Sequence, residues 1–180
     1  MTPLSIRAHL AQYSIYAKRR TTINHAFASA LAFHEKYDGE AVKNALVALG
    51  QTDLRRLTCV YCSREAQTWD HLENLVSNKR LNGFGHQLGN LVPACRDCNS
   101  EKSNRPFREF VQNSNRIAGN REELVARLEN HLKLAKPIRI PSEEENPVLK
   151  ELYEVQQQIL GLMIKADELV SKLSVTKDLS

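Results

Sequence analysis

Four cysteines stand in two identical spacings, Cys59-Val60-Tyr61-Cys62 and Cys95-Arg96-Asp97-Cys98. A Cys-x-x-Cys pair sets two sulfurs on one tight turn, about right for two corners of a zinc tetrahedron, and two pairs complete it. Thiol–disulfide exchange is the competing chemistry. It needs only one pair, in a βαβ setting of thioredoxin type, and neither pair has that setting. The spacing therefore reads as a structural Zn²⁺ site of Cys59, Cys62, Cys95 and Cys98, as suits a reducing compartment.

The stretch between the pairs is longer than in common zinc ribbons, and it carries the residues able to do a reaction. It holds Trp69-Asp70-His71-Leu72-Glu73 and Gly89-Asn90-Leu91-Val92. The last cysteine opens Asn99-Ser100-Glu101-Lys102. Phosphodiester hydrolysis needs a nucleophilic water, neutralised phosphoryl oxygens and help for the departing 3′ oxygen. His71 suits the general base, because an imidazole accepts a proton near neutral pH. Asp70 and Asn99 offer hard oxygen donors that favour Mg²⁺ or Mn²⁺ over zinc. Neighbours on a strand point to opposite faces, so bringing Asp70 and His71 to one phosphate calls for a twist or bulge. Asn99 and Lys102 share one face of a helix beginning near Cys98, one for metal and the other for phosphate. His86, in Gly83-Phe84-Gly85-His86, reads as a solvated loop histidine. His9, His25, His34 and His131 sit in helix-like stretches and support no catalytic role.

The Asp-His pair, the Asn-Leu-Val segment and the Cys-Asn-x-x-Lys segment, in this order among paired cysteines, resemble the HNH endonuclease family over about residues 57–110. The resemblance implies a ββα-metal fold in which Asp70 and Asn99 hold a divalent metal and His71 activates water. It implies that Asn90 holds the loop and orients His71. The sequence departs from the pattern in one respect: Leu72-Glu73-Asn74-Leu75 lacks the proline common shortly after the His. The final position is Asn rather than His, which the family tolerates.

These residues need elements to position them. Apolar residues at helical spacing predict helices over about 5–17, 22–37 and 40–49, with Gly39 and Gly50 as stops. Pro106 fits the first turn of a helix from Arg105. Asn120 reads as an N-cap with Glu123 at N3, ahead of Leu124, Leu128 and Leu132. Pro137, Pro141 and Pro147 bracket a linker. Val148, Leu152, Val155, Ile159, Leu162, Ala166, Leu169 and Leu173 then form a heptad stripe able to pair two subunits, while Leu149, Met163 and Val170 widen it toward a helix docked on its own core. The fold expected is α+β and mainly helical, a small zinc-bound ββα nuclease core flanked by helices. Its parts are a helical region at 1–56, the core at 57–115, a helical extension at 116–140, and a linker with the terminal helix at 141–180.

The net charge of +4 averages unlike parts: residues 1–140 carry +8 and the last forty −4. A basic body suggests a polyanion. Lys18, Arg19 and Arg20, then Arg55 and Arg56, then Arg105 and Arg108 are the candidate contacts to double-stranded DNA, since Arg and Lys serve phosphates and Arg reads guanine. No apolar run approaches the roughly 20 residues of a membrane span, and the N-terminus has no secretory h-region, so a cytoplasmic protein is expected. The reading favoured is a metal-dependent DNA endonuclease, most like a small dimeric type II restriction enzyme. A phage, intron-associated or repair nickase shares every motif. A zinc-stabilised DNA-binding module without catalysis is the reading from another class.

Overall fold

The computed structural model describes residues 6–77 and 80–175, and divides the chain into two compact units. One combines residues 1–30 with 141–180, the other is residues 31–140. This differs from the four-part division expected from sequence. The terminal segments share a unit, and residues 31–56 belong with the zinc segment. The reason is visible in Gln51, which is buried and brackets Thr58, accepting from its N–H at 2.8 Å and donating to its carbonyl at 3.0 Å. Among the described residues, no helix is long and apolar enough to cross a membrane.

The terminal unit contains α1 (Arg7–Leu10), α2 (Ile15–Leu31) and α7 (Pro147–Val175). A single helix from about 5 to 17 was expected, but the chain is extended at Ala11 and restarts at Ile15. Two side chains cap the new start. Asp167 accepts from the N–H groups of Ile15 (2.7 Å) and Tyr16 (3.1 Å) and from Ser14 Oγ (2.7 Å), and Ser14 Oγ accepts from Ala17 N–H. These carboxylate and hydroxyl oxygens satisfy first-turn donors that no helical carbonyl reaches. Gln156 meets Asn24 further along, so α2 and α7 run antiparallel. Lys18, Arg19 and Arg20 consequently lie inside α2, exposed, and not in a connection between helices.

The larger unit is built on α3 (Gly39–Ala48), β1 (Thr68–His71), β2 (Val76–Ser77), β3 (Arg80–Leu81), β4 (Leu91–Ala94), α4 (Arg96–Lys102), α5 (Phe107–Asn113) and α6 (Arg121–Leu132). Strands β1 and β4 pair antiparallel, with Thr68 opposite Ala94, Asp70 opposite Val92 and His71 opposite Leu91. Helix α4 follows β4 directly, completing a ββα unit. Leu46, Leu49, Leu72, Val92, Phe107, Phe110, Val111, Leu124 and Leu128 bury their side chains together with three of the cysteines. Of the helix starts, the Asn120 cap is as the sequence signals it, and the Asp38 cap was not anticipated. Asp38 caps α3 through Glu40 and Ala41 N–H, Asn120 caps α6 through Glu122 and Glu123 N–H, and Pro106 precedes α5. Gly50, at φ +86°, supplies the left-handed turn that ends α3.

Candidate functional site

The four cysteine sulfurs lie within 4.8 Å of one another, with Cys62 and Cys95 3.6 Å apart. A zinc tetrahedron with Zn–S near 2.3 Å has edges of about 3.8 Å, so the donor set fits a structural Zn²⁺. Cys59 and Cys62 close one turn, where Ser63 N–H reaches Cys59 O at 2.9 Å. Cys95 caps α4, its sulfur accepting from Cys98 N–H at 3.4 Å. Burial raises the Cys59 thiol to about 11 and pushes Cys98 well up. It works upward on Cys62 too, but Arg64 and neighbouring thiols bring that group down to about 7. The Arg64 guanidinium reaches Cys62 at 3.5 Å, Cys95 at 3.6 Å and Asp97 at 3.0 Å, placing a cation against the sulfurs. Nothing in the spacing of the motif signals this residue.

The zinc turn holds one end of the ββα unit, and β1 presents two different faces. Its register with β4 is unbroken from Thr68 to His71, so no bulge brings Asp70 and His71 together. Asp70 turns inward and is 4% exposed. Its Oδ1 lies 3.2 Å from Lys102 Nζ, and its Oδ2 accepts from Tyr61 Oη at 2.7 Å. Burial raises the Asp70 carboxyl above its ordinary value, opposed by the ammonium and the tyrosine hydroxyl.

Two expectations are corrected here. Lys102 is fully buried and also donates to His71 O at 2.7 Å. It therefore ties α4 to the end of β1 and meets no phosphate. Asp70 does not present a ready carboxylate to a divalent metal, since a cation beside it would face the Lys102 ammonium at close range. Asn99 also faces β1, with its Nδ2 near Thr68 Oγ1 (3.4 Å) and Trp69 O (3.5 Å). Its amide oxygen has no partner among the described residues. The donor chemistry of Asp70 and Asn99 suits Mg²⁺ or Mn²⁺, but the two do not fit one as placed.

The other face of β1 carries Trp69, which is exposed, and His71, which is half-buried. His71 Nε2 lies 3.1 Å from His86 Nδ1. Nδ1 of His71 has no hydrogen-bond partner among the described residues. Burial, then the neighbouring His86 and Lys102, lower the His71 imidazole to about 4, so the ring is neutral at pH 7. Asn90, fully buried, holds the surrounding loops. It accepts from Glu73 N–H (2.8 Å) and donates to Glu73 O (3.0 Å) and Gly85 O (3.1 Å). Every one of these partners is backbone, so Asn90 positions and does not touch reacting atoms.

The basic candidates are dispersed. Arg108 is paired with Glu129 at 2.7 Å and Glu73 at 3.5 Å and lies over the Phe107 ring. Arg105 donates to Glu101 O and lies over Phe110. Both guanidinium groups are therefore engaged within the protein. Arg55 contacts Asp53 at 3.4 Å, while Lys18, Arg19 and Arg56 are exposed with no ion-pair partner among the described residues. Sequence reasoning assigned no role to Tyr61 or Arg64, read His86 as a solvated loop histidine, and set His34 aside. The placement of distant loops brings the two histidines to the site.

The site is thus a ββα unit gathered at a four-cysteine cluster, with a histidine on the open face of β1. Residues 59–105 match the family model described as HNH endonuclease, which spans both cysteine pairs, β1, β4 and α4. No curated protein and no solved structure matches the chain.

Proposed function

We propose that the chain is a divalent-metal-dependent DNA endonuclease in which His71 is the general base. The observation carrying this reading is His71 itself: a neutral imidazole on the open face of a zinc-stapled ββα unit, with Nδ1 free of partners. In the reaction, Nδ1 takes the proton of a water as its oxygen bonds to phosphorus and the P–O3′ bond breaks, the departing 3′ oxygen taking a proton from solvent. Lys102, through the His71 carbonyl, and Asn90, through Glu73 and Gly85, keep the imidazole and its loops in place. The family implies a catalytic divalent metal, and Asn99 is the open oxygen donor for it on α4. Asp70 joins it only where Lys102 gives way. Plasmid DNA incubated with the zinc-loaded protein and Mg²⁺ or Mn²⁺ is expected to be cut, and His71→Ala to lose on the order of 10²–10⁴-fold in rate with DNA binding retained. Binding without cleavage by the unmodified protein on several substrates supports the non-catalytic zinc module instead.

The finer reading is a type II restriction enzyme acting as a homodimer. One site cuts one strand, and a two-fold dimer places a site on each strand of a palindrome. Support comes from α7. Its stripe is divided: Leu152, Ile159 and Ala166 are half-buried, whereas Val148, Val155, Leu162 and Leu169, at steps of seven, are exposed together with Leu173. Such a column suits a coiled-coil seam. Replacing Val155 and Leu162 with Glu is expected to convert a dimer to monomer by sedimentation. An unchanged mass, or a wild-type monomer, favours the nickase reading.

A further inference from the structure

The sequence sets His86 on a glycine-rich loop, where solvent exposure is the ordinary expectation. The fold instead pins this loop from four directions. His86 N–H donates to Phe33 O at 2.7 Å, and Glu35 N–H donates to His86 O at 3.2 Å, a parallel bridge between residues 34 and 86. Asn90 holds Gly85 O, and Ile138 N–H reaches Gly83 O at 3.0 Å. Gly85 is required by the close approach, since a Cβ there would lie 2.1 Å from Phe33 O. The imidazole stacks on His34 with centroids 4.5 Å apart and planes at 28°. This leaves one ring atom directed at another functional group: Nδ1, 3.1 Å from His71 Nε2.

We propose that His86 is a positioning residue that fixes the tautomer of His71, with residues 33–35, outside the family match, building its support. The proposal rests on His71 being the base. A neutral imidazole has one N–H and one lone pair, so a single proton lies between the facing rings. If His86 donated it, the only lone pair of His71 would be consumed and Nδ1 would carry a proton. With His86 accepting, Nε2–H of His71 is held in the hydrogen bond and the lone pair stands on Nδ1. When Nδ1 takes a proton from water, the Nε2–H bond to His86 persists, so the ring does not turn as it becomes charged. In this arrangement the His86 proton stands on Nε2, which is buried without a hydrogen-bond partner, a desolvation cost that the bond to His71 and the backbone bonds of the loop must offset.

Long-range ¹H–¹⁵N spectra of the zinc-loaded full chain read the tautomer directly. The wild-type protein is expected to show His71 protonated at Nε2. His86→Phe keeps an aromatic ring for His34 but offers no acceptor. It should shift His71 toward the Nδ1–H form and lower kcat on the order of 10²-fold, with the DNA KM little changed. His86→Asn, whose amide oxygen can replace Nδ1, should restore both the tautomer and most of kcat. A wild-type His71 in the Nδ1–H form overturns the proposal, and so does a His86→Phe protein with unaltered tautomer and kcat. Should Phe prevent folding, the Asn variant decides alone: Nε2–H in His71 supports the proposal and Nδ1–H overturns it. A protein that cuts no DNA yet shows these tautomer changes refutes the nuclease reading and not the contact between the rings.

Discussion

The two faces of β1 differ in what they do with adjacent polar residues. Toward α4, Asp70 is closed within a ring of partners: the Lys102 ammonium, the Tyr61 hydroxyl and, above them, the Phe110 ring edge-on to Tyr61 at 5.1 Å. On the other face, His71 makes one side-chain hydrogen bond and keeps a nitrogen free. A buried charge pair with both members satisfied resists rearrangement, because removing either leaves an uncompensated ion. The His71 imidazole is held neutral by burial and by its cationic neighbours, and its unpartnered nitrogen leaves a lone pair for a proton. The inner face is thus built for structural integrity, while the outer one is the face on which the proposed base stands, although the residues are neighbours in sequence.

Removing the staple that both faces share should have the largest effect. Structural zinc in small domains contributes on the order of 10 kcal/mol of folding free energy. Stripping it with a strong chelator is expected to abolish cooperative unfolding of residues 31–140 by calorimetry and to end cleavage. A chelated protein that still unfolded cooperatively at the same temperature would break the comparison at its base.

Lys102→Met sharpens the inner face. It leaves Asp70 buried beside Tyr61 alone, and the loss expected is about 3–5 kcal/mol of stability, read from denaturant midpoints. A cost below about 1 kcal/mol would mean that the pair is exposed in solution.

The outer face is sharpened by pH, with a smaller effect. His71 has its pKa lowered to about 4, so the neutral base form persists from pH 8 down to about 5 and is lost only below that. The cleavage rate should therefore show no half-point at pH 6.5 on its acid side. A half-point there would mean an imidazole as solvated as in a free peptide.

Much of this site is legible in the sequence, for local reasons. Two Cys-x-x-Cys turns declare their ligation by spacing. The order of Asp-His, Asn and Cys-Asn places β1, β4 and α4. Asn120 marks a helix start through first-turn hydrogen bonding that involves only neighbours, and Pro106 marks one through its fixed backbone angle. What sequence does not reveal depends on distant segments. The strand rule sends Asp70 and His71 to opposite faces, but it does not say which partners wait on each face. Tyr61 and Lys102, nine and thirty-two residues from Asp70, made the inward rotamer a buried ion pair, and no bulge was needed. His86 was misjudged because its loop is ordered by residues 33–35. The break before α2 follows from Asp167, more than 150 residues along the chain.

The most direct test of the division between the faces is to measure cleavage and thermal midpoint in parallel for His71→Ala and Lys102→Met, both zinc-loaded. The account predicts that His71→Ala lowers cleavage on the order of 10²–10⁴-fold while its midpoint stays within a few degrees of the parent, and that Lys102→Met lowers the midpoint far more. A His71→Ala protein that still cuts DNA at the parental rate, or that loses stability as Lys102→Met does, contradicts it.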